Sequence, residues 1–244
     1  SSGYGDVRPR RLRSGMEIIM SKFVVAGITQ IETIVKVDKI PIEFAPITSR
    51  PESIFTSAGG DAFNESLALS WLGNHVEFLS VVGRNQDLGI FNPSDREVTL
   101  STQYILPIIG ETPTQVVLYD QERKQQIFED IKDLRSAEYD MSMVTPMIAD
   151  CDMVVLSNAN FCRPFIPIAR QYNKQVAVNI HSFLREKEVY NGDFLYGASI
   201  LYFSDDTLTE DSHEFIQSIV EVYDPAIIIL GLGSKGVLLY DKEK

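Results

Sequence analysis

The stretch SAGGDAFNESLALSWLG, Ser57 to Gly73, places a glycine pair directly ahead of a segment with helical spacing. Ala62, Phe63, Leu67, Trp71 and Leu72 recur as one apolar helix face and are predicted to meet a core. Asp61 reads as the N-cap, because its short carboxylate can accept from the free N–H groups of a first turn. Gly59 and Gly60, having no Cβ, let the backbone approach a small polar ligand. N–H groups exposed at a helix start can then donate to hydroxyls or anions. Asn64, one turn in, carries both a donor and an acceptor, which suits neutral hydroxyls better than a metal. Taken alone, the residues leave two readings open: a capped core helix after a loop, or one wall of a ligand pocket.

The flanking sequence sets that helix in an α/β frame. KFVVAGI (Lys22–Ile28) is a short β-branched run closed by glycine, the pattern of a buried strand. TIVKVDKI (Thr33–Ile40) alternates more weakly and reads as a half-exposed strand, followed by Pro41, Pro46 and Pro51. VEFLSVVG (Val76–Gly83) is a strand, whereas residues 84–110 show no usable period. TQVVLYDQERKQQIFED reads as a hairpin turning at Gln121–Lys124. After Met141 the pattern alternates: strand MVVLS, a helix over Pro164–Tyr172, strands QVAVNI and SILYFS, helix DSHEFIQSIVEVY, and strand AIIIL. In that helix Phe215, Ile216, Ile219 and Val220 share a face. Apolar strands alternating with amphipathic helices predict a mostly parallel sheet flanked by helices. The more polar strands predict a small β lid, over approximately 30–56 and 100–130, inserted into a body spanning 21–244.

Composition narrows the partners. A chain of 244 residues suffices for one large or two smaller domains, and its 44% hydrophobic and 23% charged residues are ordinary for a globular protein. A net charge of −12 argues against nucleic-acid or anionic-membrane partners, which reward positive faces. No run reaches the roughly 18 apolar residues that span a bilayer. Cys151 and Cys162 make no disulfide framework, so a reducing cytoplasm is the expected compartment. His75, His181 and His213 are too scattered for a structural metal site. The first twenty residues hold four arginines and little periodicity; they read as a tag or disordered leader rather than a basic binding arm or a signal peptide.

GLGSKG (Gly231–Gly236) fits G-x-G-x-x-G, but a dinucleotide loop needs a helix after it, and VLLYD is a strand. Lys235 is followed by Gly236, so a P-loop is also excluded. The segment is predicted to be a glycine turn between two strands, either a plain hairpin or one that clears space for a flat ligand or phosphate.

Together these pieces resemble the PfkB/ribokinase family of carbohydrate and nucleoside kinases. AGGDAFNESLALSWLG resembles its first signature, with the Gly-Gly pair and an Asn four residues on. VVAGITQIE resembles the opening strand and substrate loop, VVGRNQDLG the Val-Gly-x-Asp-x-x-Gly region, and IIILGLGSKGVLLYD the nucleotide-side T-x-G-x-x-G segment. The resemblance implies a ribokinase-like three-layer fold with a β lid over the sugar site. It implies Mg2+-assisted transfer of the ATP γ-phosphate to a hydroxyl of a sugar, nucleoside or related polyol. By resemblance, Gln30, Glu32, Gly59, Gly60 and Asn64 would contact the acceptor, and Ser204, Gly231, Gly233 and Gly236 the nucleotide. A homodimer through the lid is implied in the same way.

Three departures accompany it. Gly231 replaces the usual Thr of the nucleotide segment. FSDDTLTE (Phe203–Glu210) stands where the family has N-x-x-E, with Ser204 for Asn and Thr207 for Glu. Asp205, Asp206 or Glu210 could substitute near a metal, or the stretch could be a polar turn capping the next helix; no metal ligand is assigned. Finally, the signature D-T-x-G-A-G-D, which supplies the general base, does not occur. The catalytic residues are therefore expected in a C-terminal part missing from this sequence. The alternatives are a non-catalytic sugar- or nucleoside-binding relative and, least in keeping with the strand after GLGSKG, a dehydrogenase.

Overall fold

The computed structural model describes residues 20–92, 98 and 100–244; the first nineteen residues, read above as a leader, lie outside them. Eight strands form the main sheet. They are β1 (Lys22–Ala26), β4 (His75–Gly83), β5 (Tyr104–Ile109), β8 (Met153–Ser157), β9 (Gln175–Ser182), β10 (Ile200–Ser204), β11 (Ile227–Gly231) and β12 (Val237–Asp241), in the order β12-β11-β10-β9-β8-β1-β4-β5. Every pairing is parallel except β11 with β12. β2 (Gln30–Lys36), β3 (Ile54–Gly59), β6 (Thr114–Tyr119) and β7 (Gln125–Asp130) form a separate sheet, ordered β3-β2-β6-β7.

The helix α1 (Asp61–Trp71) lies on one face of the main sheet. There Ala62 and Phe63 pack with Val25, Phe78 and Val82, and Phe63 meets Phe91 edge-on at 5.9 Å. The opposite face carries α2 (Met141–Asp150), α3 (Phe165–Gln171), α4 (Glu188–Gly197) and α5 (Ser212–Tyr223). Its larger core includes Val24, Leu79, Val154, Val176, Leu201 and Ile228. In α5, Phe215 and Ile219 are buried and Ile216 and Val220 pack beside them, as the sequence face predicts.

Some expectations shift. Trp71 and Leu72 are 53% and 68% exposed, because α1 ends there and its last turn clears the sheet. Asp61 is the first helical residue rather than the cap; Gly60 caps the helix at φ 100°. The strand expected at 33–40 runs over Gln30–Lys36. Within the range 100–130 expected for the lid, β5 joins the main sheet instead, as its edge strand. That edge place tolerates Pro107, which has no N–H for a ladder. GLGSKG is a turn between antiparallel strands, with a 3-10 turn at Gly233–Lys235.

The connectivity decides where a ligand belongs. From β1 the chain moves outward to β4 and β5, returns to β8 on the other side of β1, and continues outward through β9, β10 and β11. Strand order therefore reverses between β1 and β8. In open α/β sheets the crevice outside the carboxyl ends of the strands at such a reversal is the ligand site.

Candidate functional site

The carboxyl ends of β1 and β8 meet the head of α1 at this reversal. Gly27 follows β1, and a Cβ built on it would lie 1.7 Å from Ser157 Oγ, so the main chain passes directly against that hydroxyl. Ser157 is fully buried; its Oγ accepts from the Ile28 N–H at 3.0 Å and donates to Asp61 Oδ1 at 2.5 Å. Asp61 Oδ1 also accepts from the Ala62 N–H at 2.7 Å. A Cβ on Gly60 would lie 2.4 Å from the Ile28 carbonyl oxygen, so only glycine fits, independently of its positive φ.

One turn along α1, Glu65 Oε1 accepts from Asn179 Nδ2 at 2.9 Å, tying the helix to the end of β9. Glu65 Oε2 is buried without a partner among the described residues. Burial, reinforced by the neighbouring Asp61 carboxylate, pushes the Glu65 carboxyl up to about 8. Burial also raises Asp61, against the hydrogen bond from Ser157.

The lid grows out of the same place. Gln30 begins β2 three residues after Gly27 and pairs with Gly59, which immediately precedes the Gly60 cap. Gln30, Glu32 and Gln115 share one face of the lid sheet. Gln30 Nε2 donates to Gln115 Oε1 at 2.6 Å, while its own Oε1 is buried and unpartnered among the described residues. Glu32 is half-buried, which raises its carboxyl, and its Oε2 lies 2.9 Å from where a Gly59 Cβ would stand. Asn64 is exposed. The fold thus gathers Gln30, Glu32, Gly59 and Gly60 into one corner, with Asn64 one turn above it.

The second set lies further along the same edge. Ser204 ends β10 and pairs with both Ser182 and Gly231. Ser204 Oγ donates to Asp206 Oδ2 at 2.7 Å, within a 3-10 turn at Asp205–Thr207. A Cβ on Gly231 would lie 3.0 Å from the Tyr202 hydroxyl. Gly233 and Gly236 have φ of 55° and 101°, and nothing stands within 4 Å of a Cβ added at either, so the turn leaves open space beside its backbone. Arg185, beyond β9, reaches Glu210 at 3.0 Å and Ser218 at 2.6 Å, joining the loops that follow β9 and β10.

Residues 20–175 match the family model described as pfkB family carbohydrate kinase. The chain belongs to that family. Comparison with curated proteins gave no match. Among solved structures, this PfkB-family chain is similar to a microbiome-derived acarbose kinase, with 19% identity and a TM-score of 0.74, covering 92% of this chain and 74% of that one. It is also similar to an Arabidopsis thaliana ribokinase complexed with ribose and ATP (14% identity, TM-score 0.69, 93% and 76% covered). A fructokinase with bound ATP from Xylella fastidiosa gives 15% identity, a TM-score of 0.66, and 91% and 72% covered. At such identities the likeness establishes the ribokinase-like fold and no individual role. Among the described residues no helix of the PfkB-family chain is long and apolar enough to cross a membrane.

Sequence reasoning passed over Ser157, Glu65, Asn179, Gln115 and Arg185. The Asp61–Glu65 spacing of four was a usable signal, since it sets two carboxylates on one helix face. Ser157 offered none, because its partners come from β1 and α1, far away in sequence.

Proposed function

We propose that this PfkB-family protein phosphorylates a hydroxyl of a sugar or related polyol with ATP, assisted by Mg2+, as a cytoplasmic enzyme. The observation that carries this reading is the corner at the sheet reversal, where a glycine-capped helix and the first residues of the lid meet outside the strands' carboxyl ends. Gln30, with an unpartnered buried oxygen, and Glu32 offer acceptors to sugar hydroxyls; Gly59 and Gly60 bring the backbone close; Asn64 faces outward one turn above. At the far end, the cleared turn at Gly233 and Gly236 would lie against the nucleotide, with Ser204 and Gly231 at the adjoining strand ends.

The residues present fit a magnesium nucleotide. Mg2+ keeps several waters and needs one or two carboxylates beside the phosphates, not a cage of protein ligands. No cluster of three or more His, Cys, Asp or Glu residues suited to a metal occurs among the described residues, but Asp205 and Asp206 follow β10 directly, beside Ser204 of the proposed nucleotide set, and would supply such a pair. When bound, the metal would offset charge on the phosphates; positioning of the two substrates is the protein's part. No general base is assigned, since Gly-Ala-Gly-Asp is absent from the sequence. A homodimer through the lid sheet is part of the proposal, supported by the exposed Ile54, Phe55 and Phe128 on its strands.

The substitutions Ser204 and Thr207 in the N-x-x-E segment favour a second reading, a binding protein without phosphotransfer. A coupled ADP-release assay on the full-length protein with D-ribose, D-fructose and adenosine decides. Acceptor-dependent ADP release supports the kinase; acceptor binding by calorimetry with no release supports the binding protein.

A further inference from the structure

We infer that Asp61 and Ser157 are positioning residues that anchor the acceptor-binding strand to the head of α1. The inference rests on the acceptor reading of that corner. The chain from Gly27 to Gln30 must be held still for Gln30 and Glu32 to present fixed acceptors, yet it lies between two strands of different sheets. Besides the Gly27 N–H donating to the Leu79 carbonyl at 3.2 Å and the ladder pairing of Gln30 with Gly59, three contacts hold it. The Ile28 N–H donates to Ser157 Oγ, and the Ser80 hydroxyl donates to the Gly27 carbonyl at 2.6 Å. The Ile28 carbonyl is pressed against Gly60, where no Cβ could stand. Ser157 can satisfy Ile28 only if its own proton goes elsewhere, and Asp61 Oδ1 takes it. The same oxygen accepts from Ala62, so one atom fixes the first turn of α1 and, through Ser157, the acceptor strand.

Ser157 is wholly buried and Asp61 is held by two donors, so neither is free to reorient toward a ligand. That geometry separates anchoring from direct contact. Asp61→Asn keeps an oxygen that accepts both hydrogen bonds and removes the charge. Asp61→Ala removes both, and Ser157→Ala removes the links from Ser157 to Ile28 and to Asp61 while leaving the Ala62 bond.

The test pairs hydrogen–deuterium exchange with kinetics, on the full-length protein, below the unfolding temperature of each variant. Exchange over residues 27–33 should quicken in Asp61→Ala and Ser157→Ala and stay slow in Asp61→Asn. With whichever of D-ribose, D-fructose or adenosine wild type phosphorylates, the acceptor KM should rise on the order of 10- to 100-fold in both alanine variants, the cost of a small misplacement. The ATP KM should not change, and Asp61→Asn should restore most of the acceptor affinity. Loss in Asp61→Asn equal to that in Asp61→Ala would overturn anchoring in favour of direct charge contact. A lowered Tm with unchanged acceptor KM and unchanged exchange would overturn it in favour of plain stability. Wild type that phosphorylates none of the three acceptors defeats the kinase reading separately, and the exchange pattern then decides whether the anchor exists.

Discussion

Glu65 carries a proton well above the usual carboxylate range, because it is buried beside Asp61 with one oxygen unpartnered among the described residues. The consequence for stability has a definite sign. Below its ordinary value of 4.5 both folded and unfolded chains hold the proton. As pH rises from there to about 8, the unfolded chain releases it while the folded chain keeps it, so unfolding becomes progressively easier. Glu65→Gln keeps the oxygen that accepts from Asn179 and abolishes the titration. The variant should therefore match wild type below pH 4.5 and exceed it at pH 8 and above, by on the order of 4–5 kcal/mol, at about 1.4 kcal/mol per unit. Urea unfolding across that range checks this; parallel curves for the two proteins would show that Glu65 ionises freely. Gly60 is the other residue whose cost can be stated. Gly60→Ala meets a backbone conformation closed to side chains, at about 1–3 kcal/mol, before the clash with the Ile28 carbonyl is counted. Denaturant melts should show at least that loss. Both residues stand in one legible motif, but only Gly60 announced its role. A paired glycine ahead of a helix has few physical excuses, whereas a glutamate on a helix is ordinarily solvated, and only the fold shows what buries it.

At the scale of elements, legibility followed local consistency. β1, β4, β8 through β11 and α5 were readable because apolar residues fall at the period of the element that forms. α2 was not, since MSMVTPMIAD holds Pro146 in its interior, and α4 was not, since EVYNGDFLYG contains Asn191, Gly192 and Asp193. Both helices form because they cover a sheet face: Val144, Ile148, Phe194 and Leu195 are buried in the large core. The loops after β9 and β10 were likewise unreadable, because a long-range clamp joins them. Arg185 grips Glu210 with two nitrogens, reaches Ser218, and lies over the Phe183 ring at 5.3 Å. Thr207 adds a hydrogen bond to the Phe183 carbonyl at 2.9 Å. Arg185→Ala should free the loop that carries Ser204 and Asp206. Limited proteolysis should then cut within residues 204–211 faster than in wild type, and ATP affinity should fall about tenfold, some 1.4 kcal/mol. Lysine in place of Arg185 should recover little, since a point charge does not reproduce a bidentate fork. Unchanged ATP affinity alongside faster cleavage would place the loop outside the nucleotide site.

Across the whole molecule the two faces of the main sheet are unequally covered. α2 through α5 close one face from β1 to β11, while on the other α1 covers only the region around β1, β4 and β8. Beyond it, Ala177, Ile200, Ile227 and Ile229 line up across β9, β10 and β11, half-exposed, and on β12 Leu239 and Val237 are 64% and 59% exposed. Among the described residues no helix lies over this row. Sequence could not reveal it, because each strand reads as buried on both faces and nothing in a strand says which helix is to cover it. An apolar surface of this continuity is uncommon on a soluble monomer and marks a place where something packs. The chain should therefore bind a fluorescent hydrophobic dye such as ANS in the native state. Leu239→Glu together with Val237→Lys should reduce that fluorescence severalfold while circular dichroism and Tm stay near wild type, because both side chains already face water. Wild type that binds no dye would mean the face is covered in solution. Sedimentation velocity then separates the two ways of covering it: a dimer that these substitutions dissociate places a second copy on the sheet, and an unchanged monomer assigns the cover to residues of the same chain.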